Sequence, residues 1–186
     1  MELLSIFLIA VALAMDAFAV SICKGLSMRS PGMKEMLVIG LWFGGFQALM
    51  PIIGYYLGTS FYTYVSSYAH WVAFFLLLII GLNMIREALS SEEEDLDADI
   101  GFKIMLLLAV ATSIDAMAVG ISFAMEGAEI WISALIIGII TMIISVAGVK
   151  IGSVIGDRYN KYAELAGGII LILIGVKIVL ENSGLL

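Results

Sequence analysis

Apolar residues run along this chain in six stretches of membrane-spanning length, separated by short clusters of polar and turn-forming residues. They are Leu3–Cys23, Met36–Leu57, His70–Leu89, Phe102–Met125, Trp131–Ile151 and Ala163–Leu180. A helix needs about 20 mainly apolar residues to cross the ~30 Å hydrocarbon core of a bilayer. The gaps carry words such as Arg29-Ser30-Pro31-Gly32 and Gly156-Asp157-Arg158. No segment shows the roughly ten-residue dyad alternation of a membrane β-barrel. The pattern predicts an all-α membrane protein with six transmembrane helices in a lipid bilayer. Composition points the same way. The 186 residues are 62% hydrophobic and 13% charged, whereas a soluble domain is about 45–50% apolar and about 25% charged.

Ala17-Phe18-Ala19 mimics a signal-peptidase site, but Met1–Cys23 holds no Lys or Arg. A secretory signal needs a basic segment before its apolar one, so the first stretch is expected to be a retained span. The single cysteine, Cys23, allows neither an intramolecular disulfide nor a cysteine-cluster metal site. No basic run suggests a nucleic-acid partner, and no glycine motif suggests a nucleotide site.

Lys and Arg set the expected direction. Lys24, Arg29 and Lys34 lie between the first and second spans, Arg86 and Lys103 flank the connection of the third and fourth, and Arg158 and Lys161 lie between the fifth and sixth. Gly58–Ala69 and Glu126–Ile130 hold none. Basic loops stay in the cytoplasm, so both termini are expected outside. Net charge is −7, and six of the 16 acids sit together at Glu92, Glu93, Glu94, Asp95, Asp97 and Asp99. This stretch reads as a solvated, partly disordered linker; the alternative reading is a weak antenna that collects cations at the cytoplasmic face.

The chain repeats itself. Met15-Asp16-Ala17-Phe18-Ala19-Val20-Ser21-Ile22 returns as Ile114-Asp115-Ala116-Met117-Ala118-Val119-Gly120-Ile121. Ile53-Gly54 returns as Ile151-Gly152, and Ile80-Gly81 as Ile174-Gly175, in the same order. The organisation read from this is a first three-helix repeat over 1–91, an acidic cytoplasmic linker over 92–99 and a second three-helix repeat over 100–186. Three spans per half make the second half enter the membrane from the opposite side. That is the inverted repeat of secondary transporters, whose sites lie near mid-membrane at the repeat interface.

The repeated acids are the candidate chemistry. A charged aspartate at a helix centre costs about 2.5–3.5 kcal/mol on insertion scales, and such a residue marks a functional site by default. Asp16 and Asp115 sit at matched positions. Beside them run small-residue stripes, Ala10/Ala14/Ala17/Ser21 and Ala109/Ser113/Ala116/Gly120, which let helices approach closely in lipid. The first and fourth spans are therefore expected to cross there. Thr112 and Ser122 share the Asp115 face. Pro51 cannot donate to the carbonyl of Gln47, so Gln47, beside Gly44-Gly45, is expected at a break in the second span. Asn83 is a further candidate ligand in the third span, and Ser145 a weaker one in the fifth. Lys150, Lys177 and His70 read as interfacial. Carboxylate, amide, hydroxyl and carbonyl oxygens form a hard-ligand set suited to Mg²⁺, Ca²⁺ or Mn²⁺. The residues alone do not choose among these.

The duplicated Asp-Ala-x-Ala-Val words, the Gly-Phe-Gln…Met-Pro stretch and the six short spans resemble the MntP manganese efflux pumps of bacteria, within the LysE exporter superfamily. The resemblance covers essentially the whole chain. It implies Mn²⁺ export across the bacterial cytoplasmic (inner) membrane, Mn²⁺ being the transported substrate and no cofactor being expected. Asp16 and Asp115 match that family's key acids. Expelling a divalent ion against an inside-negative potential costs about 4.6 kcal/mol per 100 mV, so an ion gradient is needed. Protons entering from outside are the expected partner, neutralising the two aspartates. An amino-acid exporter of the LysE type would want a mid-membrane cation, which the spans lack. An intramembrane aspartyl protease also uses two aspartates, but in Tyr-Asp and Gly-x-Gly-Asp words rather than Met-Asp and Ile-Asp. Oligomeric state is not legible.

Overall fold

The computed structural model describes residues 3–28, 30–89, 101–159 and 161–182. Arg29 and the acidic stretch 92–99 lie outside the described residues, as do the side chains of 58–70 (His70 included), Asn83, Arg158 and Lys161. Among the described residues all regular structure is helical: α1 (Leu3–Ser27), α2 (Met33–Leu89), α3 (Phe102–Ala111), α4 (Ile114–Glu126), α5 (Ile130–Tyr159) and α6 (Lys161–Asn182).

In α1, a run of Leu, Ala, Ile and Val with no proline carries the helix to Ser27, whose hydroxyl closes it by donating to the Lys24 carbonyl at 2.9 Å. Ser30 then adopts φ 47° and Pro31 follows, which together turn the chain into α2. The second and third expected spans are not separate here. α2 is helical without interruption through 58–69, the stretch read from sequence as a loop. That stretch has no proline, and Gly58 is its one glycine, so nothing in its backbone forbids the helix. Pro51 does not break α2 either. The fourth expected span divides instead. α3 and α4 meet at a 47° bend.

Leu3–Ser27, Met33–Leu57 and Ile130–Ile155 are each long and apolar enough to cross a membrane, and α3 with α4 makes a fourth if the bent pair is one span. Leu165–Lys177 in α6 is a shorter apolar helix. The outer surface carries Leu4, Leu8, Leu41, Ile143 and Leu173, all exposed. A water-facing surface does not show so much contiguous hydrocarbon. The chain is a multi-pass membrane protein. Tyr56 of α2 lies against Trp131 at the start of α5, ring centroids 6.5 Å apart, the kind of aromatic pair that favours a membrane–water boundary.

Helices associate in lipid by close packing rather than by hydrophobic collapse, and glycine supplies the approach. Along α2 and α5, a Cβ added at Gly44 would stand 2.6 Å from the Gly138 carbonyl oxygen and 2.8 Å from Met142 Cβ. Gly40 faces Val146, and Ala48 faces Gly138. Residue numbers rise on one helix as they fall on the other, so the pair is antiparallel. α1 lies along α5, where Gly152 meets the Ile22 carbonyl and Gly25 meets that of Val149. α4 lies along α2, where Gly120 meets the Pro51 carbonyl and Gly54 that of Met117. α6 rests on the C-terminal part of α2 through Gly81 and Gly168. The small-residue stripes thus do not meet each other. That of α1 faces α5 and that of α4 faces α2, because a small-residue stripe specifies closeness of approach and not which helix approaches.

Candidate cation site

The site is built on α1, α2 and the α3–α4 break. α3 stops at Ala111 because Thr112 and Ser113 bond back to their own helix. Thr112 Oγ1 donates to Leu108 and Ala109 carbonyls, at 3.0 and 3.3 Å, and Ser113 Oγ donates to the Ala109 carbonyl at 2.6 Å. Such local bonds compete with the helical ladder and bend it. The chain restarts at Ile114, which places Asp115 in the first turn of α4. The exposed end of the helix dipole favours an acid there. Its Oδ1 accepts the Ala116 N–H at 2.8 Å.

Asp16 lies on α1 between Ala14 and Ala17, both fully buried, and itself faces outward. Asp115 also faces outward, and the two carboxylates are close enough to feel each other's charge. Gln47 is fully buried. Its Nε2 donates to the Leu13 carbonyl at 3.1 Å, three residues before Asp16, so α2 is tied to α1 beside the acid. Its Oε1 has no partner among the described residues.

The two outward-facing aspartates influence each other electrostatically, while the buried Gln47 is tied to α1 one turn before Asp16 and the buried Thr112 precedes Asp115 by three residues at the helix break. Ser122 is not gathered with them. It stands seven residues beyond Asp115, about 10 Å along the axis, exposed, its Oγ donating to the Ala118 carbonyl at 3.3 Å. Asn83 falls on α2, its side chain outside the described set. The break expected at Gln47–Pro51 is found at Thr112–Ser113 instead. The signal was present in sequence, as two adjacent hydroxyl residues three and two positions before an intramembrane acid. Proline is the louder breaker, but here Pro51 is held in a helix packed against Gly120.

Among the described residues no group of three or more Asp, Glu, His or Cys comes together. A cation at the two aspartates would complete its shell from amide, hydroxyl, carbonyl or water oxygens. That is the donor set of a hard divalent ion and not of zinc or copper.

Residues 30–179 match the family described as "Putative manganese efflux pump". The chain belongs to the MntP family. A family member from Desulfitobacterium hafniense is 54% identical over 183 residues, covering 98% of this chain and 97% of that one. Relatives from Mannheimia succiniciproducens and Methanosphaera stadtmanae are each 50% identical, covering 98% and 96% of this chain and 98% and 99% of theirs. All three bear the name "Putative manganese efflux pump MntP". The family resemblance read from the Asp words thus extends over nearly the full length. No solved structure matches the chain.

Proposed function

We propose that this chain exports Mn²⁺ from the cytoplasm as a secondary transporter of the cytoplasmic membrane, with Asp16 and Asp115 as the paired carboxylates of its site. The observation that carries the reading is that pairing, two repeated acids within electrostatic reach, in a chain 50–54% identical to relatives named for manganese efflux. Two negative charges balance one divalent cation. Gln47 Oε1 and the lone pairs of Thr112 add neutral oxygens, with Asn83 as a further candidate. Protons entering from outside neutralise the carboxylates and release the ion. That exchange supplies the ~4.6 kcal/mol per 100 mV that export demands.

The transport path belongs to two halves of inverted direction. Support comes from the α2–α5 crossing. The offset from Gly54 to Gly152 is 98 residues; applied to the Gly40–Val146 contact it gives Gly138–Ala48, and applied to Gly44–Met142 it returns the same pair. A contact set that maps onto itself in this way is what a two-fold axis between inverted repeats produces. Six crossings need α2 to supply two of them. Its 57 residues measure about 86 Å at 1.5 Å each, far more than a ~30 Å core holds, so the six-span reading requires the helix, continuous through 58–69, to turn back there on entering a bilayer. Both termini then face outward and the basic loops inward.

The test is manganese content of metal-loaded cells lacking their own exporter, with wild type, Asp16→Asn and Asp115→Asn at equal measured expression. Wild type is expected to lower cell manganese and both variants to fail. Unchanged manganese with wild type removes the substrate assignment. Export that survives both substitutions moves the site elsewhere.

A further inference from the structure

Six described hydroxyls in or beside these helices behave alike. Ser27, Thr112, Ser113, Ser122, Ser133 and Ser153 each return the proton to a carbonyl three or four residues earlier. Ser21, Thr141 and Ser145 do not. All three are fully buried, and their oxygens have no hydrogen-bond partner among the described residues; Gln47 Oε1 shares that condition. A buried polar group without a partner is strongly disfavoured, and lipid offers no replacement. These four oxygens are therefore available to a ligand inside the bundle.

They belong to the three helices α1, α2 and α5, which pack on one another. Thr141, Ser145 and Gly148 recur at spacings of four and three and share a face of α5. A Cβ on Gly148 would stand 3.0 Å from Ser21 Cβ, which sets Ser21 of α1 over that face. Gln47 is tied to α1 at Leu13, and its neighbours Gly44 and Ala48 touch Met142 and Gly138 of α5. Ser145 also lies 98 residues from Gln47, the offset of the Ile53-Gly54 and Ile151-Gly152 words.

We propose that Ser21, Thr141, Ser145 and Gln47 Oε1 form a row of neutral oxygens between α1, α2 and α5 that takes the divalent cation as it passes to or from Asp16 and Asp115. The inference rests on the export reading above and adds the path to it. Uncharged oxygens suit a path better than a store, since conduction requires binding weak enough to release. The carboxylates hold the ion; the row hands it on.

The experiment uses the full chain in proteoliposomes, with Mn²⁺ itself as the probe, and measures KM for transport together with thermal stability. Thr141→Val and Ser145→Ala each raise KM about tenfold, the ratio equal to about 1.4 kcal/mol, and Thr141→Ser stays near wild type. Neither oxygen-removing variant lowers stability, because each deletes an unpaired buried group. If wild type transports Mn²⁺ and Thr141→Val and Ser145→Ala keep its KM, the oxygen row is wrong while the export reading stands. If wild type carries no Mn²⁺, both fall together.

Discussion

Gly120→Ala is the sharpest probe of how α4 is held. A Cβ at Gly120 would stand 2.0 Å from the Pro51 carbonyl oxygen, 2.6 Å from its Cα and 2.7 Å from its carbonyl carbon. Ordinary contact begins at 3.4 Å, so the helices must part by about 1.4 Å, or the side chain must be accommodated by backbone that cannot swing aside. Overpacking of this kind costs about 1–3 kcal/mol. The control is Gly45→Ala on α2, where an added Cβ meets nothing within 4 Å and the helix gains up to about 1 kcal/mol of propensity. The propensity gain is common to both helix-interior positions, so the two variants should differ in stability by the overpacking cost, about 1–3 kcal/mol, with Gly120→Ala the less stable. Thermal or denaturant unfolding in detergent micelles, followed through the three tryptophans, reads the difference. Equal stability of Gly120→Ala and Gly45→Ala would refute the packing of α4 on α2. A 1.4 Å displacement also exceeds the roughly 0.5 Å tolerance of a binding constellation, so Gly120→Ala should weaken Mn²⁺ transport as well.

Two other outcomes can be checked on the same preparations. Gly127 caps α4 in the left-handed region at φ 64°, and a Cβ there touches nothing. Gly127→Ala should therefore lower stability by about 1–2 kcal/mol through backbone strain alone, measured by the same unfolding curve. Cys23 is free and only 1% exposed. Maleimide should leave the folded protein unmodified and add once per chain after denaturation, as read by intact mass; rapid labelling of the folded chain would contradict the burial of Cys23 in the core cluster that α1 shares with its neighbours.

The apolar runs and their starts were legible in the sequence for α1 and α5, because length and lipid solubility are properties of a stretch by itself, while both helices run on past the expected ends at Cys23 and Ile151 to Ser27 and Tyr159. The aspartates were legible for the same reason, since a charge in an apolar run is conspicuous without knowing its neighbours. Partner choice was not. Ala10, Ala14, Ala17 and Ser21 announce a close approach, but α1 packs chiefly on α5, whose Gly148 meets Ser21, rather than on α4, and no local pattern distinguishes two small-residue faces. The position of the helix break was misjudged for a different reason. Proline removes one hydrogen bond, which packing against Gly120 and Met117 tolerates, while Thr112 and Ser113 actively recruit carbonyls from the ladder. The hydroxyls that fail to do so, at Ser21, Thr141 and Ser145, look identical in sequence to those that succeed. Only the surroundings of each oxygen separate them.

The crossing of α2 over α5 has a consequence for conformational entropy. Gly40, Gly44, Ala48 and Gly138 bring no rotatable side chain to the contact, so joining the helices freezes almost nothing at those positions. Leucines or isoleucines in their place would each surrender about 0.5–1 kcal/mol of rotamer freedom, about 2–4 kcal/mol for the four. Of the residues nearest these glycines, Val146 is already stiff through its branched Cβ, and Met142 is a long flexible chain immobilised there. In a solvent as apolar as the side chains themselves, that saving persists where a hydrophobic driving force would not. The two helices are held together partly by how little order their meeting demands.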